Sequence, residues 1–315
     1  MRAIRNILVC GAGLMGKNIA VVFASKKDHT ITLYDINNTD VHGVIRNHCR
    51  QLVEKGLMTV ADLEERLSRI GFTQDPDSEA VAEADFVIEA VYENMALKQQ
   101  TFALLEARCR TDAIFCTNSS VMSPSEISAR LVHRSRFAGT HFWNPAHLIP
   151  LVEVVKSDAT SDETASAIMN LLRAVGKKPV LCKKDVPGFI ANRMQHALWR
   201  EAIYIVEQGI ADAWTVDEAV RYSFGLRLPR LAPMENADMV GLDLTYSIQD
   251  YILKDLCNDV EPSPLLTRLR DEGKLGFKSG EGFRKWTDEE KKQSIETLNE
   301  YLVNMLANMD ILDRS

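Results

Sequence analysis

Short apolar runs alternating with helical periodicity fill the first half of the chain. Residues 7–10 (ILVC), 30–34 (TITLY), 70–73, 86–91 (FVIEAV), 113–117 (AIFCT), 137–142, 151–155 and 178–182 read as strands. Between them, residues 18–25, 41–69, 78–84, 95–108 and 162–175 carry helical spacing, with Lys55-Gly56 breaking the second stretch. Alternation of this kind up to about Lys184 describes an α/β Rossmann-type doubly wound sheet. Beyond it strand alternation stops, and residues 215–224, 239–256, 264–272 and 288–309 read as helices of an all-α C-terminal domain. The stretch KKDVPG, residues 183–188, marks the boundary, giving domains of residues 1–184 and 185–315. Pro187 is expected in the first turn of the helix that follows. Ile190, Met194, Ala197, Leu198, Ala202, Ile205 and Val206 form that helix's apolar face.

The first strand runs into Gly11-Ala12-Gly13-Leu14-Met15-Gly16 and then a helix, a G-x-G-x-x-G in its required setting. Gly11 permits the tight turn, Gly13 lets backbone approach a pyrophosphate, and Gly16 lets the helix pack on the strand. The helix start, at Leu14 and Met15, offers N–H donors to phosphate. The second strand ends at Asp35, where a carboxylate accepts from a ribose diol and repels a 2′-phosphate, so NAD is expected over NADP. Glu89, Glu93, Asn118, Ser119 and Ser120 fall beyond the carboxyl ends of later strands, where open α/β sheets bind ligands. Ser123 with Glu126 makes a capping box, which leaves Ser119 and Ser120 without a capping duty.

Residues 136–156, RFAGTHFWNPAHLIPLVEVVK, read as two strands about an Asn-Pro turn. Antiparallel pairing folded about His147 sets His141 opposite Glu153. Two readings fit: a general base with a carboxylate that fixes its tautomer, or a turn histidine and a strand glutamate on a solvated face. Asn192 is either exposed or turned into a cleft. Residues 274–283, KLGFKSGEGF, are either functional or connecting.

Composition narrows the function classes. At 315 residues, 46% hydrophobic and 26% charged, the chain has the make-up of a globular protein with room for two cores. A net charge of −7 argues against nucleic acid, and no apolar run reaches membrane-spanning length. The six cysteines form no C-x-x-C, so neither metal nor a disulfide framework is expected, and a reducing cytoplasm is. MRAIRN leads straight into the first strand, leaving no signal or transit peptide to expect.

The stretches VCGAGLMGKNIA, LYDIN, ADFVIEAVYEN, TNSS, RFAGTHFWNP, LVEVV, DVPGFIANR and LGFKSGEGF together resemble the 3-hydroxyacyl-CoA dehydrogenase family over essentially the whole length. The resemblance implies a Rossmann-type domain, a helical dimerisation domain giving a homodimer, and NAD as cofactor. It implies that His141 is the catalytic base, with Glu153 as its partner and Ser120 and Asn192 holding the reacting oxygen or a neighbouring carbonyl. Cofactor contacts are implied for Glu93 and Lys98, beside the candidates Gly11, Gly13, Leu14, Met15, Gly16, Asp35 and Asn118. The activity implied is reversible oxidation of the (S)-3-hydroxyl of a short 3-hydroxyacyl-CoA, within fatty acid metabolism. Two departures bear on substrate: Leu57 and Met58 follow Lys55-Gly56, where many members carry a lysine that helps hold coenzyme A, and Trp143 replaces the usual Phe. A dehydrogenase of a coenzyme A-free hydroxy acid or pyridine alcohol is the alternative, and a non-catalytic NAD-binding protein the second.

Overall fold

The computed structural model describes residues 3–309; the first two residues of the MRAIRN lead and the last six of the chain lie outside them. Strands β1 (Asn6–Cys10), β2 (Thr30–Tyr34), β3 (Ile70–Thr73), β4 (Phe86–Glu89), β5 (Ile114–Thr117), β6 (Phe137–Phe142), β7 (Leu151–Lys156) and β8 (Lys178–Cys182) form one sheet. Their order is β3-β2-β1-β4-β5-β6-β7-β8. Every neighbouring pair is parallel except β6 with β7. The strand order reverses between β1 and β4, which sets the ligand crevice at the carboxyl end of β1.

Period-2 alternation builds the core. Ile7 and Val9 of β1 join one apolar cluster, while Leu8 and Cys10 join another on the opposite face. Helices α1 (Leu14–Phe23), α2 (Val41–Glu54), α3 (Val60–Leu67), α4 (Glu79–Ala82), α5 (Met95–Glu106), α6 (Pro124–Ile127) and α7 (Asp162–Ala174) lie among the strands in sequence. Phe23 and Ile45 line the first cluster, Phe102 and Leu105 the second, so helices cover both faces. The α2–α3 break falls at Gly56, in the left-handed region at φ 69°.

After β8 come α8 (Ala191–Glu207), α9 (Ala213–Arg221), α10 (Phe224–Arg227), α11 (Pro233–Val240), α12 (Leu242–Ile252), α13 (Pro264–Asp271) and α14 (Asp288–Asn308). Contacts divide the chain into one unit of residues up to Asn192 joined by those from Glu296 onward, and a second of Arg193–Ile295. The end of α14 rejoins the first unit, because Val303 and Leu306 are buried in its core. The helix expected over residues 239–256 is two, parted at Gly241 (φ 101°), and α11 reaches back to Pro233. Pro187 does not open α8. Gly188 (φ 74°) and Phe189 (φ 52°) are left-handed and delay the helix to Ala191. In the second unit, residues 274–283 carry two isolated bridges, Gly276 with Glu281 and Glu281 with Lys285.

The β6–β7 turn is tied down from beneath. Lys177 Nζ donates to Ala146 O at 2.5 Å and Ile149 O at 2.9 Å, and burial pushes this ammonium down to about 8. The His147 ring stacks on His48, centroids 6.2 Å apart. Burial, then the charges of His48 and Lys177, push His147 from its ordinary 6.5 down to about 4. The folded chain therefore refuses a proton that the unfolded chain accepts between those two values. Stability is lost as pH falls from about 6.5 to about 4 and is unaffected by this group above. Between pH 7.5 and pH 5 that loss is about 2 kcal/mol. Urea unfolding of wild type and His147→Gln at both pH values should show the variant's curve flatter by that amount; equal slopes would contradict the assignment.

Candidate active site

The β6–β7 ladder pairs His141 directly with Glu153. Both point to the face opposite Val152 and Val154, which sit in the first apolar cluster. His141 is 4% and Glu153 0% exposed, so the solvated-face reading fails. Nδ1 of His141 lies 2.8 Å from Glu153 Oε2. A carboxylate only accepts, so Nδ1 carries the proton and Nε2 presents its lone pair.

Glu153 takes two donors on each oxygen. Oε2 accepts His141 Nδ1–H and the Trp143 indole N–H (3.2 Å), while Oε1 accepts the Ile190 and Ala191 amides, both at 2.9 Å. Those amides are available because Gly188 and Phe189 turn the chain through the left-handed region just before α8. For Phe189, a non-glycine residue, that conformation costs of order 1–3 kcal/mol. Its ring is 2% exposed and lies 5.8 Å from the His141 ring, so burial of about 1.5–3 kcal/mol offsets the strain. Burial alone pushes the Glu153 carboxyl up. The donors from His141, Ala191, Ile190 and Trp143 outweigh it and hold the group below the usual carboxylate range.

Ser120 and Asn192 meet beside the dyad's hairpin: Asn192 Nδ2 donates to Ser120 O at 3.1 Å, and Asn192 is 9% exposed rather than solvated. The Ser120 amide donates to Glu93 Oε1 (2.9 Å), and among the described residues its hydroxyl has no protein partner. Ser119 does hold a turn, accepting from Met122 N and donating to Glu93 Oε2 (3.0 Å). The capping box expected at α6 is one-sided: Ser123 accepts from Glu126 N, but its hydroxyl donates to Asp185.

Lys98 lies beneath this shelf, 1% exposed. Its ammonium donates to Glu89 Oε1 (2.7 Å) and Val91 O (3.3 Å) and pairs with Glu93 Oε2 at 3.3 Å. Thr117 Oγ1 donates to the other Glu89 oxygen at 2.7 Å. Burial pushes Glu89 up, partly countered by Lys98. The buried Glu89 carboxylate draws the Lys98 ammonium inward, and Glu93 alone of the three is half-exposed. Asn118 Oδ1 accepts from Phe142 N at 2.9 Å and ties β5 to β6.

At the carboxyl end of β1, Gly11 holds φ 106°, and a Cβ on Gly16 would sit 1.8 Å from Gly11 O, so both glycines are required by the turn. Around Gly13 nothing lies within 4 Å of where a Cβ would stand. No side chain caps α1, which leaves its first amides, from Leu14, Met15 and Gly16, open beside that space. Asp35 Oδ2 accepts from Ala12 N (2.8 Å) and Oδ1 from Asn37 N (2.9 Å), holding the carboxylate at the loop. An open cradle of amides with a fixed carboxylate at the end of β2 fits a dinucleotide. Sequence reasoning missed Glu89 as the anchor of Lys98, the Ile190 and Ala191 amides, and the Trp143 hydrogen bond. The amides reach Glu153 from a distant segment, and the other two contacts depend on side-chain directions that periodicity does not report; only Trp143 carried a signal, its departure from Phe.

Two family models match the chain: the 3-hydroxyacyl-CoA dehydrogenase NAD binding domain over residues 6–186 and the C-terminal domain over residues 188–286. A 5-formyl-3-hydroxy-2-methylpyridine 4-carboxylate 5-dehydrogenase of Mesorhizobium japonicum is 32% identical over 92% of this chain and 93% of its own length. A probable 3-hydroxybutyryl-CoA dehydrogenase of Bacillus subtilis is 36% identical over 89% of this chain and 96% of its own. Among solved structures, a 5-formyl-3-hydroxy-2-methylpyridine 4-carboxylic acid 5-dehydrogenase, described as an NAD+-dependent dismutase, superposes with a TM-score of 0.89. It is 30% identical and covers 99% of this chain and 100% of its own.

Proposed function

The chain belongs to the 3-hydroxyacyl-CoA dehydrogenase family and is an NAD-dependent dehydrogenase, and on that premise we propose that it oxidises a secondary alcohol with His141 as general base. Nε2 of His141 takes the hydroxyl proton, and Glu153 holds the tautomer and stabilises the imidazolium. The Ser120 hydroxyl donates to the reacting oxygen, and Asn192 positions Ser120 through its carbonyl while keeping a second amide N–H to offer. NAD, when bound, supplies the hydride acceptor. The Gly11–Gly16 loop with the Leu14 and Met15 amides holds its pyrophosphate, Asp35 its adenosine ribose, and Glu93 its nicotinamide ribose, with Lys98 and Asn118 fixing the shelf from below. The observation that carries this reading is the buried His141–Glu153 pair with Nε2 free of protein partners among the described residues.

The family's substrate class, a short 3-hydroxyacyl-CoA, is the first reading, and it carries with it a place in fatty acid metabolism. A coenzyme A-free hydroxy acid or pyridine alcohol is the second, favoured by the α2–α3 turn. There Lys55 is paired with Glu300 at 2.6 Å, Leu57 packs on the core and Met58 is buried. None of the three offers a free cation to a coenzyme A phosphate. NADH consumption with acetoacetyl-CoA, beside free acetoacetate and a panel of free hydroxy acids with NAD, separates the two. Turnover of the thioester alone supports the first; turnover of a free acid or alcohol alone supports the second.

A homodimer formed by the second unit is part of the proposal. Of its described residues only Cys257 is buried, while Met194, Leu198, Trp199, Trp214, Leu244 and Ile248 stand exposed. Met194, Leu198 and Trp199 of α8 are thus exposed together, an apolar surface that a second copy would cover. Six free, buried cysteines support a reducing cytoplasm.

A further inference from the structure

Trp143 was marked in the sequence only by its bulk, and the structure adds a hydrogen bond to it. The indole ring stands 5.4 Å from the His141 ring, tilted by 53°, and directs its N–H at Glu153 Oε2. An ionised carboxylate has about four acceptor sites, and the four donors on Glu153 fill them. Two of those donors are backbone amides, which only a proline would remove, and one is His141 itself. Among the described residues, Trp143 is therefore the one remaining side chain that can alter how Glu153 is held.

We propose that Trp143 is a positioning residue of the dyad, its indole N–H sharing Glu153 Oε2 with His141 and so setting how strongly the carboxylate retains the imidazole's proton. This rests on the reading of His141 as the base. With the indole N–H present, part of the Oε2 charge is spent on a neutral donor, and the imidazolium is held less tightly. A phenylalanine keeps the ring beside His141 and deletes the donor. Oε2 then serves His141 alone, and the imidazolium persists to higher pH. Other titratable groups surround the pair. Cys182 on β8 feels both Glu153 and Asp185, and burial pushes its thiol up, so it stays neutral. On the β5 side stand Glu93, Lys98 and Glu89. Trp143→Phe alters the bonding of none of them.

The test reads the imidazole directly. In protein labelled at histidine, the His141 resonance of Trp143→Phe should titrate about half a pH unit above wild type. The acid limb of alcohol oxidation should move with it, slowing oxidation about threefold at a pH one unit below that limb, with substrate KM unchanged. A second perturbation avoids substitution. Replacing the four tryptophans by 5-fluorotryptophan makes the indole a stronger donor and should move the midpoint down. Opposite movements support the proposal. An unmoved midpoint in both, or a uniform loss of turnover at all pH values, overturns it. Because the resonance is followed without substrate, failure of the base reading itself, seen as full activity in His141→Gln, is separately visible.

Discussion

Glu153→Gln is expected to lower turnover by about 10⁴-fold, about 5.5 kcal/mol of transition-state stabilisation. The amide is nearly isosteric, so the size of the effect comes from hydrogen-bond polarity. One side of the new group must serve the Ile190 and Ala191 amides, which need an acceptor, so its oxygen turns there. Its NH2 then faces His141 and the Trp143 N–H. A donor opposite Nδ1 selects the tautomer protonated on Nε2, which has no lone pair to take the substrate's proton. The Trp143 N–H is left facing another donor, which adds a smaller cost in stability of about 1–3 kcal/mol. Single-turnover rates with NAD, alongside NADH binding by fluorescence, check this. Turnover within tenfold of wild type would remove Glu153 from the mechanism.

His141→Gln removes the base itself and is expected to cost about 10²–10⁴-fold in turnover, the usual worth of positioned base catalysis. NADH affinity should change little, because His141 hydrogen-bonds to Glu153 and to none of the residues assigned to the cofactor. Glutamine can still donate to Glu153 Oε2, so the carboxylate keeps its donors and the hairpin its packing. Wild-type turnover in this variant would end the base assignment. A loss of NADH binding equal to the loss of turnover would point to a folding defect. The two variants also bear on one another: if His141 and Glu153 act as a unit, the double variant should be scarcely slower than the worse single one.

Much of this was open to sequence reasoning because the signals are local. Four-residue apolar runs such as ILVC bury both faces of a parallel strand, and the bounds read from sequence for β2, β3, β6 and β8 match those of the structure. The G-x-G-x-x-G reads as a phosphate cradle because each glycine meets a steric demand within a few residues, as the 1.8 Å approach at Gly16 illustrates. Register about His147 follows from the Asn-Pro turn and a period of two, so the His141–Glu153 pairing was legible as well.

What the sequence by itself determined was therefore the class of fold, the nucleotide loop, and the pairing of a histidine with a carboxylate. Tertiary structure alone decided that the pair is buried, which excluded a solvated face, and that Glu153 is saturated by an indole and by the first amides of α8. It also decided that Lys98 turns inward to Glu89, and that Pro187 precedes rather than opens α8. The Glu153 donors from α8 depend on two segments nearly forty residues apart in the chain meeting, while the Lys98 and Trp143 bonds depend on which way a side chain turns in the folded protein. Hydrophobic periodicity reports only which face of an element is apolar. The partners of a buried charge are set by desolvation, which compels every such group to find a donor or acceptor wherever the fold brings one within reach.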